Sequence, residues 1–166
     1  MAVTSLTTFL WFDTEALDAA RFYVDLFPQS HLGEVSYYQA DAQRPAGSVL
    51  TVEFELFGRP FAALNGGPQF PHSEAVSFQV ACDSQDDVDR IWSALVDNGG
   101  AESMCGWCKD RWGVSWQVIP KALTRALQGL DGYDSAYAFE AMMKMSKIIV
   151  KDLAPATGLP AERNVN

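Results

Sequence analysis

Residues Cys105–Pro120, CGWCKDRWGVSWQVIP, set three tryptophans (Trp107, Trp112 and Trp116), a charged turn and an alternating run within sixteen positions. Asp110 to Gly113 has the content of a tight turn, and beyond it Val114, Trp116 and Val118 alternate with Ser115, Gln117 and Ile119. Successive side chains of a strand point to opposite faces, so this alternation predicts a strand with one apolar and one mixed face.

Upstream, a shift of sixty-nine positions brings Phe9 onto Phe78, Arg21 onto Arg90, Tyr23 onto Trp92 and Leu26 onto Leu95. Ala19, Phe22, Tyr23, Leu26 and Phe27 have helical spacing, and so do Val88, Ile91, Trp92, Leu95 and Val96, which predicts one amphipathic helix in each copy. A short apolar strand precedes each, about Thr7 to Phe12 and about Ala75 to Ala81. Ser84, with Asp87 three residues on, reads as an N-terminal cap, while Pro28 and Asn98-Gly99-Gly100 stop the helices. After the first helix come a strand over Ser36 to Gln39, an alternating strand through Leu50, Val52, Phe54 and Leu56, a turn at Gly58 and Pro60, and a strand from Phe61 to Asn65. Strand, helix, then two or three strands, twice over, predicts an α+β fold of two modules, about 6–67 and 74–120. A helical segment over 121–153 follows, with one helix at Tyr133 to Ser146 presenting Phe139, Met142, Met143 and Met145, and then a loose tail over 154–166.

With 166 residues the chain is long enough for one domain made of two fused modules. A formal charge of −9 without a basic cluster argues against nucleic acid, whose binding depends on neutralising phosphates. No apolar run approaches the ~20 residues of a spanning helix, which argues against a membrane partner. The Met1-Ala2-Val3 start lacks the charged and apolar regions of a signal peptide. Three cysteines, an odd number, suit a reducing compartment. Cytoplasmic residence is the resulting expectation.

The ordered motifs RFYVDLF, FGRPFAALNGGPQF, SFQVACDSQDDVDRIW, CGWCKDRWGVSWQVIP and AMMKMSKI, running from Leu6 to about Leu153, resemble those of PhnB-like proteins. That family, also labelled 3-demethylubiquinone-9 3-methyltransferase-like, is a branch of the vicinal oxygen chelate superfamily of glyoxalases, bleomycin-resistance proteins and extradiol dioxygenases. The resemblance implies paired βαβββ modules, a homodimer, and a cup on the concave sheet where catalytic relatives hold a metal. Their ligand positions, carried onto this chain, fall on Thr8, Ser77, Gln117 and either Ala63 or Asn65. None is His, Asp, Glu or Cys, so a divalent ion would lack an anionic or imidazole ligand. The expectation is therefore no metal, no cofactor, and a small organic ligand, aromatic in character, in a cup walled by Trp11, Phe54, Phe61, Trp107 and Trp116. Thr8, Asn65, Ser77, Cys105, Asp110 and Gln117 would be its polar contacts.

The competing reading is an enzyme. A glyoxalase-like or dioxygenase-like activity would have to draw its metal ligands from Glu53, Glu55 or His72, and a metal-free one would use Asp110 or Cys105 for proton transfer. The methyltransferase label fits poorly, because no Gly-rich turn between strand and helix offers a methyl-donor site. Glu53 and Glu55 share a strand face that reads as a wet surface, and His31 and His72 sit in loops without a partner at ligand spacing. Cys105 and Cys108 form a CxxC leading into a strand, where their Cα atoms would lie about 10 Å apart, too far for a disulfide without a bend. Lys109, Asp110 and Arg111 either anchor an anion or close a turn, and Asn65-Gly66-Gly67-Pro68 either presents backbone groups to a ligand or turns the chain.

Overall fold

The computed structural model describes residues 4–40 and 44–155, which divide between His72 and Ser73 into two compact units. In the first, β1 (Thr8–Phe12), α1 (Ala16–Leu26), β2 (Ser30–Tyr37), β3 (Val49–Leu56) and β4 (Arg59–Asn65) give a sheet ordered β1-β4-β3-β2, with β1 parallel to β4. In the second, β5 (Ser77–Cys82), α2 (Gln85–Val96), β6 (Ala101–Glu102), β7 (Trp107–Lys109) and β8 (Ser115–Pro120) give β5-β8-β7-β6, with β5 parallel to β8. The two βαβββ modules of an α+β fold are present.

Each helix covers one face of its own sheet. Under α1 lie Leu10, Phe12, Val52, Phe54, Leu56, Phe61 and Ala63, all buried, with Tyr23 against Phe54 at 6.1 Å between ring centroids. Under α2 lie Val80, Cys82, Cys108, Trp116 and Val118, and Trp92 on the helix reaches Glu102 on the same side of the sheet at 3.1 Å. The helices start differently. Ser84 caps α2 by accepting from Asp87 N–H at 3.1 Å, as the sequence predicts. α1 has no capping side chain at Glu15; Asn65 supplies it from β4, its Oδ1 accepting from Ala16 N–H at 2.8 Å. A cap of this kind stabilises a helix by about 1 kcal/mol.

Burial corrects the register of the repeat. Leu10 and Phe12 occupy the places of Val80 and Cys82, a shift of seventy, and Ala16, Ala19, Ala20 and Tyr23 those of Val88, Ile91, Trp92 and Leu95, a shift of seventy-two. The sixty-nine-residue shift is odd, and one residue of slip moves every strand side chain to the opposite face. It pairs Phe9, exposed and turned away from α1, with Phe78, which lies beside Trp116 on the α2 side.

The strand expected over Ser36 to Gln39 begins earlier, at Ser30, with an irregular register between Leu32 and Val35. The expected C-terminal helix is present, shorter than Tyr133 to Ser146, and the segment over 121–153 holds further helical turns. α3 (Lys121–Leu127), α4 (Ser135–Met142) and a 3-10 turn (Val150–Leu153) gather around Leu123, Ala126, Ala138, Ile148 and Leu153. Met142 and Met145 lean on this cluster while Phe139 and Met143 stay exposed, so the apolar surface expected on one helix is divided. Gln85 at the start of α2 ties the segment down, donating to Ile148 C=O at 3.1 Å and accepting from Val150 N–H at 2.8 Å. Of the expected loose tail, positions 156–166 lie outside the described residues.

Candidate functional site

The face of each sheet turned away from its helix carries the side chains that the core does not use. In the second unit, register sets Ser77, Ser115 and Lys109 in one row and Gln79, Gln117 and Trp107 in the next, with Ala81 and Ile119 beyond. Gln117 Nε2 donates to Ser77 Oγ at 2.8 Å. Ser115 is 1% exposed, and its Oγ has no hydrogen-bond partner among the described residues. Lys109 Nζ meets Glu74 at 2.5 Å, and this hydrogen bond and charge hold the Glu74 carboxyl below its ordinary range.

In the first unit the corresponding rows are Trp11, Leu64, Thr51 and Ser36, then Phe9, Ala62 and Glu53, then Pro60, Glu55 and His31. Ser36 and Thr51 hydroxyls bond each other at 2.5 Å, and His31 Nδ1 lies 4.0 Å from Glu55. Trp11 is held from the NGGP loop, its Nε1–H donating to Gly67 C=O at 2.7 Å with Phe70 edge-on at 4.9 Å. A Cβ on Gly66 would stand 2.2 Å from the Trp11 ring, so only glycine lets the loop pass there.

Of the expected contact residues, Ser77, Trp107 and Gln117 come together on the second sheet, and Trp11 lies on the equivalent face of the first. Phe54 and Phe61 are corrected: stacked at 5.3 Å under α1, they are core. Trp116 is likewise 2% exposed on the α2 side. Thr8 is exposed at the first position of β1 and in register with Phe61, on the helix side, so it is not the counterpart of Ser77. Both polar ends of Asn65 are engaged inside the unit, Oδ1 on Ala16 and Nδ2 on Val49 C=O at 3.1 Å. Asp110, 3% exposed, holds the signature together: Oδ1 accepts from the N–H groups of Trp112 and Val114 at 3.0 and 3.1 Å, and Oδ2 from Trp116 Nε1 at 2.9 Å. Arg111 lies over the Trp112 ring at 4.7 Å. Asn65 and Asp110 are thus taken up by the fold.

Cys105, half-buried at φ +58°, has its Sγ 3.7 Å from Met143 Sδ, whereas Cys108 is buried on the α2 side. Burial pushes the Cys108 thiol up to about 12 and the Cys82 thiol up to about 11. His72 packs edge-on against Phe12 at 5.3 Å.

A model of the family described as 3-demethylubiquinone-9 3-methyltransferase matches residues 4–119. The chain belongs to this family. Among solved structures, a putative 3-demethylubiquinone-9 3-methyltransferase, PhnB protein, from Bacillus cereus is 30% identical, with a TM-score of 0.64 over 70% of this chain and 99% of that one. A protein from Pseudomonas aeruginosa is 20% identical with a TM-score of 0.56, over 71% and 98%. A glyoxalase/bleomycin resistance protein from Albidiferax ferrireducens T118 is 13% identical with a TM-score of 0.43, over 66% and 92%. No curated protein matches the chain. It is PhnB-like.

The side chains do not fit the metal that catalytic members of the superfamily hold. On the faces away from the helices the first and last strands carry Phe9, Trp11, Pro60, Ala62 and Leu64 in one unit and Ser77, Gln79, Ala81, Ser115, Gln117 and Ile119 in the other. Apolar groups, hydroxyls and amides make a poor divalent site. Among the described residues no group of three or more His, Cys, Asp or Glu is placed to hold an ion, and no helix is long and apolar enough to cross a membrane.

Proposed function

We propose that this PhnB-like chain is a metal-independent binding protein for a small organic molecule, which lies on the far face of the second sheet. The observation that carries this is the row in which a buried hydroxyl, Ser115, without a partner among the described residues, stands between Ser77 and Lys109, next to the half-buried Trp107 ring. A buried hydroxyl without a partner costs free energy that a ligand contact recovers, and an aromatic wall with a few oriented polar groups is the usual make-up of a small-molecule site. The methyltransferase name in the family description gains no support, since each sheet has a single parallel pair, with none of the doubly wound architecture of a Rossmann-type methyl-donor site. Homodimer formation and cytoplasmic residence belong to the same reading. Exposed Tyr137, Phe139 and Met143 offer apolar surface for a second copy, which sedimentation would reveal.

Elemental analysis of untagged protein and a thermal-shift screen of small organic molecules test this together. Metal well below stoichiometric and a hit weakened about tenfold by Trp107→Ala or Gln117→Ala, but unchanged by Glu53→Gln, is the expected result. Stoichiometric metal overturns it.

A further inference from the structure

We infer that the ligand is an aromatic carboxylate, whose acid group takes the place of the Glu74 carboxylate on Lys109 and accepts from the Ser115 and Ser77 hydroxyls. The inference rests on the small-molecule reading and adds the chemical class.

Three observations converge. The whole chain carries −9, yet the residues that β5, β7 and β8 turn to this face, Ser77, Gln79, Ala81, Trp107, Lys109, Ser115, Gln117 and Ile119, include a cation and no carboxylate. The donors outnumber their partners: Ser77 Oγ accepts from Gln117, which leaves its hydroxyl hydrogen to give, and Ser115 has its own to give. A carboxylate is acceptor-only, with two oxygens, and is the natural complement of two hydroxyl donors beside an ammonium. The partner that Lys109 now has is easily displaced. Glu74 comes from the segment before β5 and is 63% exposed, while Lys109 is 33% exposed. An exposed ion pair is weak, so an incoming acid that also reaches the buried Ser115 has the advantage. The next row then sets Trp107, opposite Gln117, against the ring of the acid, and Ala81 with Ile119 gives the far end of the ligand an apolar floor.

Calorimetric titration of the full chain with benzoate, 4-hydroxybenzoate and 2-naphthoate, each beside its neutral amide, tests this. At least one acid should bind about tenfold more tightly than its amide, the worth of one charge-assisted contact. Lys109→Met should bring acid binding down to the level of the amide without changing the amide, and Glu74→Gln should strengthen acid binding severalfold, with thermal melts confirming that both variants fold. Acid and amide binding equally, or Lys109→Met weakening both alike, overturns the carboxylate inference and leaves the small-molecule reading standing. Binding of no acid and no amide at millimolar concentration overturns both.

Discussion

The two sheets are built on one plan and differ on one face. Each has a parallel pair closed by strand, helix and antiparallel strands, and on the helix side the buried positions of β1 and α1 recur in β5 and α2. On the far side the first sheet offers Phe9, Trp11 and Leu64 with two carboxylates and paired hydroxyls, whereas the second offers serines, glutamines, one lysine and one tryptophan. The core face must stay apolar to hold the helix, whereas the other face is free to differ. Chemistry in this fold is therefore to be sought in residues of opposite parity to the core.

Each unit also has one buried polar residue fixing its local geometry, a carboxylate in the second and an amide in the first, and removing both sharpens the comparison. Asp110→Ala strands three donors at once, the N–H groups of Trp112 and Val114 and the indole of Trp116. A loss on the order of 4 kcal/mol is expected in urea unfolding, given about 1–3 kcal/mol for each buried group left unpaired. Asn65→Ala strands the α1 N-terminus and Val49 C=O, which should cost about 2 kcal/mol. Equal losses would mean that the carboxyl and amide versions of this device are interchangeable.

How far the sequence could be read follows from the composition of particular strands. The second-unit strand SFQVAC alternates, so Phe78, Val80 and Cys82 declare one face. The first-unit strand TFLWF has four apolar residues in succession, Phe9 to Phe12, and a period of two leaves no trace in a run with no polar member. That run hides the parity of Thr8, while the alternation through Phe54 shows which residues share a face but not whether that face meets the helix. Ser84 and the strand after Gly113 were legible because cap and alternation are local signals. The Asn65 cap was not, since its partner is 49 positions away. The one local hint is that Glu15, at the N-cap position, is not a residue type favoured there.

The helix sides differ in one titratable respect. The second unit buries two thiols there, Cys82 and Cys108, at positions where the first has side chains without a proton to lose. Their folded-state pKa values, raised by burial to about 11 and about 12, lie above the unfolded value of 9.0. The unfolded chain therefore gives up these protons first. Stability is full below about pH 9 and is lost as pH rises through the folded values. Urea midpoints measured between about pH 8 and about pH 11 should fall in the wild type and fall less in the double variant Cys82→Ala/Cys108→Ala. Equal slopes would place the alkaline sensitivity elsewhere. The same burial predicts that in the native protein at neutral pH only Cys105 reacts readily with a small alkylating reagent, and that the other two react after denaturation.

The smallest effect is the most discriminating, because its sign is at issue. In the first unit the hydroxyls of the far face satisfy each other, Ser36 with Thr51, and cutting either to alanine removes a bond. In the second, Ser115 is buried without a partner among the described residues, so Ser115→Ala removes an unmet demand. Thr51→Ala should therefore lower the melting temperature, by the equivalent of about 1 kcal/mol, and Ser115→Ala should raise it by a similar amount in ligand-free protein. On the proposed reading Ser115 gains its partner on binding, and the gain from Ser115→Ala should then disappear when a bound ligand is present. Should Ser115→Ala instead destabilise the free protein as Thr51→Ala does, its hydroxyl is satisfied after all, and the contrast between the two far faces reduces to Lys109 and the ring of Trp107.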